Sequence, residues 1–326
     1  MAANRKKLML PEEMAQVGWD LARQRDDIEL VRYSDKIAQD AFHALLPTAD
    51  GIALWAHPFT AADVEAASRL QVLSRIGVGY DSVDVAALTK RRIPLLIGGT
   101  ANSVTVAEHA LFFMLHLAKQ GPAMHAFVRE NRWSEKNSIE IFDLFEKTLL
   151  IIGLGKIGTR VCARALALEM RVLAYDPFIP EDAIRARGAV PAPDLDAALG
   201  EADFVTIHCP KKADTIGLIN AARLKRMKRS AYLINTARGG IIDEPALYDA
   251  LTSGGIAGAG LDVFAQEPTP ADNPLLRAPN VIFAPHMAGV SRESLDRMAV
   301  TAVRNVFSVF DGRPNVENMV NKEVLA

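Results

Sequence analysis

The chain of 326 residues has few cysteines, no long apolar run and almost no net charge, and each shortage excludes something. Its two cysteines, Cys162 and Cys209, lack metal-ligand spacing. No disulfide framework and no metal site are therefore expected, and a reduced, cytoplasmic compartment fits. The longest apolar helix candidate, Ala110 to Ala118, is far below membrane-spanning length and contains His116. Near the N-terminus Leu8-Met9-Leu10 is stopped at once by Pro11-Glu12-Glu13, so no signal peptide is expected. With 37 basic against 39 acidic residues the formal charge is -2, and Arg5-Lys6-Lys7 is too short a cluster to mark a nucleic-acid surface. Internal repeats are missing too. What remains, 50% hydrophobic and 23% charged residues, is the composition of a globular enzyme or scaffold long enough for two domains.

The most informative stretch is the apolar run Thr148 to Ile152 followed by Gly153-Leu154-Gly155-Lys156-Ile157-Gly158. It reads as a buried strand, a tight turn and a helix start. The spacing G-x-G-x-x-G assigns three jobs: Gly153 permits the turn, Gly155 lets a pyrophosphate approach the backbone, and Gly158 lets helix and strand pack closely. Free N–H groups at the helix start favour an anion. A second apolar run, Arg171 to Tyr175, ends in Asp176, where a ribose-binding acid belongs. A carboxylate there accepts from the ribose hydroxyls and repels a 2′-phosphate, so NAD is expected before NADP. The plainer alternative is that Asp176 caps a turn before Pro177.

Before this stretch, Lys7–Leu10, Ile28–Tyr33, Gly51–Trp55, Val72–Ile76 and Ile93–Ile97 alternate with helical patterns, which predicts a parallel, flavodoxin-like sheet. Gly77-Val78-Gly79 follows the fourth of these strands and either exposes N–H groups to a small carboxylate or is an ordinary turn. Gly98-Gly99-Thr100 punctuates the chain, and Asn102-Ser103 opens an apolar helix to about Gln120, on which His109 and His116 read as packed polar residues. Residues 121–147 are expected to be a connection. After Asp176, strands are predicted at Phe204–His208, Tyr232–Asn235, Ala257–Leu261 and Val281–Ala284, giving a second doubly wound sheet. Ser291 opens a long amphipathic helix that ends at Gly312 and can return to the first domain. The class is α/β, with domains expected at 1–100 plus 291–326 and at 101–290.

Three strand ends carry chemistry. Thr236-Ala237-Arg238-Gly239-Gly240 follows the strand ending at Asn235. Its guanidinium is either a fork for a carboxylate or carbonyl, or a surface arginine in a glycine loop. The next strand end offers Asp262 and Glu267, and the last offers His286. Interconverting an alcohol and a carbonyl needs a proton carrier that works in both directions near neutral pH, and histidine is one; a neighbouring carboxylate orients its ring.

The chain resembles the D-isomer-specific 2-hydroxyacid dehydrogenases. The matching segments are Gly77 to Asp84, Ala101 to His109, Gly153 to Gly158, Asn235 to Glu244, Asp262 to Pro268 and Pro285 to Gly289, nearly the whole chain in order. The resemblance implies a flavodoxin-like substrate domain, a Rossmann NAD-binding domain and a homodimer built on the latter. It implies hydride transfer between nicotinamide and C2 of a small 2-keto or D-2-hydroxy acid. By the same resemblance Arg238 binds the substrate, His286 is the acid/base and Glu267 its partner. Val78 and Gly79 hold the substrate carboxylate, and Lys156 and Ile157 meet the pyrophosphate. Cys209 borders the adenosine, while Thr236, Asp262 and Gly289 lie on the cofactor side.

Several departures bear on substrate. Phosphoglycerate-type members usually carry an Arg-Ser pair after the third strand, whereas this chain has Trp55-Ala56-His57-Pro58-Phe59, in which Trp55 and Phe59 either line an apolar pocket or are core. Pro210-Lys211-Lys212 stands where Pro-Leu-Thr is common, and Glu146 where a turn glycine is common. Glu267 in place of glutamine argues against the formate dehydrogenase branch. The C-terminal regulatory domain of long phosphoglycerate dehydrogenases is not expected. Two alternatives are a short-form 3-phosphoglycerate dehydrogenase and an NAD(H)-sensing, corepressor-like binding protein.

Overall fold

The computed structural model describes residues 5–326. They form two compact units, one reaching to Asn102 and resumed at Val290–Ala326, the other Ser103–Gly289. Each is a parallel sheet flanked by helices, so the fold is α/β with two doubly wound sheets.

The first unit contains β1 (Lys6–Pro11), β2 (Ile28–Tyr33), β3 (Gly51–Leu54), β4 (Val72–Arg75) and β5 (Leu95–Leu96) in the order β2-β1-β3-β4-β5, the flavodoxin-like arrangement. β5 is shorter than the apolar run Ile93–Ile97 predicts. Its free edge is taken by the C-terminal tail: Val320 N donates to Leu95 O at 2.9 Å and Leu95 N donates to Asn321 Oδ1 at 2.8 Å. The helix Arg292–Phe310 belongs to this unit. Ser291 caps it by accepting from Ser294 N at 3.1 Å, and its apolar stripe, with Met298, Ala302, Val303 and Val306 buried, packs on the helix Gln16–Ala22 and on β3 and β4.

The second unit contains β6 (Thr148–Ile152), β7 (Arg171–Tyr175), β8 (Val190–Pro191), β9 (Phe204–Ile207), β10 (Tyr232–Asn235), β11 (Gly258–Leu261) and β12 (Val281–Phe283), in the order β12-β11-β10-β9-β6-β7-β8. The chain winds outward one way through β7 and β8 and the other way from β9 onward, so the switch point lies between β6 and β9. β6 and β9 are buried at every position, as strands covered on both faces must be. β8 was not anticipated, being two residues with an exposed valine. The expected connection 121–147 also holds a helix, Gly121–Arg129, because Pro122 sits in the first turn where its missing N–H costs nothing.

The helix Ser103–Lys119 packs one face on β10 and β11. Its Phe113 is fully buried, and a Cβ on Gly260 of β11 would lie 2.8 Å from the ring. A glycine at that position lets the helix seat on the sheet. The opposite face shows Phe112 and Leu115, exposed by 49% and 39%. Among the described residues no helix is long and apolar enough to cross a membrane. Phe113→Ala should cost about 3–5 kcal/mol of unfolding free energy by urea titration.

Candidate active site

Every chemistry-bearing segment of the second unit sits where a parallel strand ends. After β6, Gly153 takes φ +94°, and a Cβ there would lie 2.8 Å from Cys209 N. A Cβ on Gly158 would lie 2.0 Å from Gly153 O, so that residue too must be glycine for the helix Gly158–Ala167 to approach. Gly155 faces open space, with nothing within 4 Å of a built Cβ. Among the described residues the N–H groups of Gly155, Lys156, Ile157 and Gly158 have no protein acceptor. At the end of β7, Asp176 accepts from Leu154 N at 2.9 Å through Oδ2 and from Phe178 N at 3.0 Å through Oδ1. It thus makes the turn that the plainer reading suggested and also anchors the glycine loop; a carboxylate retains lone pairs for two further donors.

The turn after β10 is organised by Asn235, whose Nδ2 donates to Arg238 O at 2.9 Å and whose Oδ1 accepts from Ala237 N at 3.0 Å. Arg238 is half-buried and donates through Nη1 to Ala237 O at 2.7 Å. Thr236 is buried, and its hydroxyl has no partner among the described residues. Gly239 presses against the next loop: a Cβ there would lie 1.7 Å from Phe264 O. The turn that carries Arg238 and the loop that carries Glu267 are therefore in van der Waals contact.

Asp262, at the end of β11, is 1% exposed, and its carboxylate accepts from Met287 N at 2.7 Å and Ala288 N at 2.9 Å. His286 N donates to Asp262 O at 2.8 Å. These bonds hold His286 at φ +55°, a conformation a histidine rarely adopts and that costs on the order of 1 kcal/mol. Its ring meets Glu267: Nδ1 lies 2.5 Å from Oε2, and Oε1 accepts from Phe264 N at 2.9 Å. With Nδ1 taken up by a carboxylate, Nε2 is the nitrogen left to exchange a proton with another molecule.

The first unit places its own candidates at the end of β4. Arg75 donates from Nε to Gly79 O at 2.9 Å and from Nη1 to Leu54 O at 3.0 Å, tying the glycine turn to the end of β3. The amides of Val78 and Gly79 donate to no acceptor among the described residues. In the loop after β3, Phe59 is fully buried in the core of this unit, and His57 is also buried, its Nε2 2.8 Å from Gln39 Oε1. Trp55 is half-buried, and Ala56 and Pro58 are exposed.

Comparison with known proteins gives this geometry a family. The model of the NAD binding domain of D-isomer specific 2-hydroxyacid dehydrogenases matches residues 111–288. The chain belongs to that family. It is 39% identical over 277 residues to a glyoxylate reductase of Korarchaeum cryptofilum, covering 84% of this chain and 83% of that one. It is 40% identical over 258 residues to a D-3-phosphoglycerate dehydrogenase of Archaeoglobus fulgidus, covering 79% of this chain but 48% of that one. The chain thus spans about half the length of such phosphoglycerate dehydrogenases. Its structure is similar to a D-lactate dehydrogenase of Aquifex aeolicus complexed with NAD and lactic acid, with 29% identity, a TM-score of 0.84, and coverage of 97% and 99%.

One residue of this dehydrogenase-family unit escaped the sequence reading. His208, just past β9 and beside Gly153, hydrogen-bonds through Nε2 to Thr206 Oγ1 at 2.9 Å, while its buried Nδ1 has no partner among the described residues. Burial pushes its imidazole down to about 3. The signal for it was a polar pair, Thr206 and His208, at alternate positions of an apolar run. Below about pH 6.5 the unfolded chain binds a proton here that the folded one refuses, so stability must fall as pH drops from 6.5 toward 3. In urea titrations from pH 6.5 to 4, His208→Asn should remove a slope of up to about 1.4 kcal/mol per pH unit. An unchanged slope would show that His208 is protonated in the fold.

Proposed function

We propose that the protein is an NAD-dependent D-2-hydroxyacid dehydrogenase, a cytoplasmic homodimer that reduces a small, unphosphorylated 2-keto acid or runs the reverse reaction. The observation that carries this reading is the His286–Glu267 hydrogen bond on a loop packed against the turn that bears Arg238. The cofactor's fit rests on the open face of Gly155, the unpaired amides that follow it, and the orphaned hydroxyl of Thr236. Gly153, Gly155, Lys156, Ile157 and Gly158 would hold the pyrophosphate, and Asp176 the ribose. Cys209 would lie beside the adenosine, with Thr236, Asp262 and Gly289 toward the nicotinamide. Asp176 favours NAD, since a 2′-phosphate beside it would place like charges together. When bound, NADH supplies the hydride that C2 receives.

The chain's own residues do the rest. Arg238 forks onto the carboxylate and polarises the carbonyl, which a lysine cannot do bidentately. In the first unit, the amides of Val78 and Gly79, which donate to no acceptor among the described residues, are also suited to a carboxylate. His286 delivers a proton from Nε2 to the carbonyl oxygen in reduction and removes it in oxidation. Glu267, itself fixed by Phe264 N, keeps Nδ1 engaged so that the ring does not flip away.

The unphosphorylated substrate is supported by the loop after β3, whose residues 55–59 contain no arginine or lysine, while Arg75 at the end of β4 donates to Gly79 O and Leu54 O. The homodimer is supported by the exposed apolar face of the helix Ser103–Lys119, which a second copy would cover. Phe112→Asp should yield a monomer by analytical ultracentrifugation, and an unchanged state would place the interface elsewhere.

Activity is tested by loss of NADH absorbance with glyoxylate, hydroxypyruvate, pyruvate, phenylpyruvate and 3-phosphohydroxypyruvate. His286→Ala should lower turnover about 10²- to 10⁴-fold or more with NADH binding retained. Turnover near wild type in that variant would refute the role of His286, and a preference for the phosphorylated acid would restore the phosphoglycerate reading. NADH binding without turnover on any of them would favour a sensing protein.

A further inference from the structure

The carboxylate that faces His286 stands on a segment, residues 262–273, that is neither helix nor strand. Such a segment holds a side chain within hydrogen-bond tolerance only if its own backbone is anchored. Three anchors near its start have been described: Gly239 against Phe264 O, Phe264 N on Glu267 Oε1, and Asp262 on the amides that follow His286. A fourth comes from outside the strand ends. Glu244 Oε1 accepts from Ala265 N at 2.5 Å, across 21 residues of sequence, and Glu244 Oε2 lies 3.4 Å from Asn273 Nδ2 at the far end of the segment. Asn273 also donates to Thr269 Oγ1 at 3.0 Å and caps the turn Pro274–Arg277 by accepting from Leu275 N.

Glu244 is itself rigidly mounted. It is the first residue of the helix Glu244–Thr252, which Asp243 caps by accepting from Ala246 N and which buries Leu247 and Leu251 in the core beneath the sheet. One carboxylate therefore ties a packed helix to both ends of the loop that presents Glu267. We propose that Glu244 is a positioning residue for the Glu267–His286 pair, acting on the reaction only through the placement of Glu267. Glu244 makes no hydrogen bond to either of the two side chains among the described residues. Its effect passes along the two peptide units from Ala265 to Glu267.

A glutamate in the first turn of a helix is also favourable to that helix, whatever else it does. The two roles separate experimentally. If Glu244 serves only its helix, its removal lowers the melting temperature and leaves turnover per folded molecule alone. If it places Glu267, its removal lowers turnover by an amount that vanishes once Glu267 has been disabled, because residues acting through one another are non-additive.

The test is a double-mutant cycle on the full chain, with NADH and whichever 2-keto acid of the panel turns over fastest. Glu244→Ala should lower kcat about tenfold, with the KM for the keto acid and the Kd for NADH, read by fluorescence, within about twofold of wild type. Glu244→Gln, which keeps an acceptor for Ala265 N, should recover most of that loss. Combining Glu244→Ala with Glu267→Gln should give a kcat no lower than Glu267→Gln alone. Wild-type kcat in Glu244→Ala, or losses that multiply in the double variant, would overturn the proposal. Should Glu244→Ala not fold, Asn273→Ala takes its place in the cycle under the same criteria. The proposal rests on His286 as proton carrier. In the same assay, an active His286→Ala would sink that reading, whereas an inactive His286→Ala beside a multiplicative Glu244 effect would sink the positioning role alone.

Discussion

In an all-parallel sheet each strand has to send its chain back across the sheet before the next strand begins. In the second unit that constraint delivers β6, β7, β9, β10, β11 and β12 to one edge with their carboxyl ends together. Six loops then meet there, and each carries the residues described above. The hydrogen-bond ladders of the sheet fix where each loop starts, as in the register of Leu149 with Phe204 and of Asn235 with Ile207 and Leu261. Position at the edge is therefore a property of the backbone, and the side chains refine it.

The refinement uses one device repeatedly, a carboxylate that accepts from backbone amides of a different loop. Asp176 reaches Leu154, Asp262 reaches Met287 and Ala288, and Glu244 reaches Ala265. Bonds from amides to ionised oxygens are stronger than those between neutral groups, and each joins the end of one strand, or the helix after it, to its neighbour's loop. The glycines perform the complementary task. Gly158 under Gly153 O and Gly239 under Phe264 O allow approaches that any side chain would block. The edge is thus a linked set of loops with little freedom to move singly.

The sheets were legible in the sequence because strands buried on both faces must be apolar throughout: Thr148–Ile152 and Phe204–Ile207 can hardly be read otherwise. β8 was illegible for the opposite reason, since two residues with one exposed valine carry no period, and the helix Gly121–Arg129 was masked by its opening Gly-Pro and by burying only Phe127. The glycine loop could be read residue by residue, because each glycine answers a separate steric demand. Asn235, His208 and Glu244 were not singled out, because their partners are main-chain atoms, a threonine hydroxyl or an asparagine amide rather than chemistry-bearing side chains. A polar residue at the end of a buried strand is nevertheless a signal, since it must find a partner, and Asn235 at 2% exposure does so by folding the next turn around itself.

The left-handed backbone at His286 sets stability and function against each other at a single position. A glycine would adopt φ +55° without strain, and an asparagine with less of it, yet neither carries an imidazole. Replacing this histidine would relieve the strain but forfeit the bond to Glu267, and only selection for turnover requires the imidazole whatever that balance. Position 286 is therefore a place to read which of the two pressures a variant has been under.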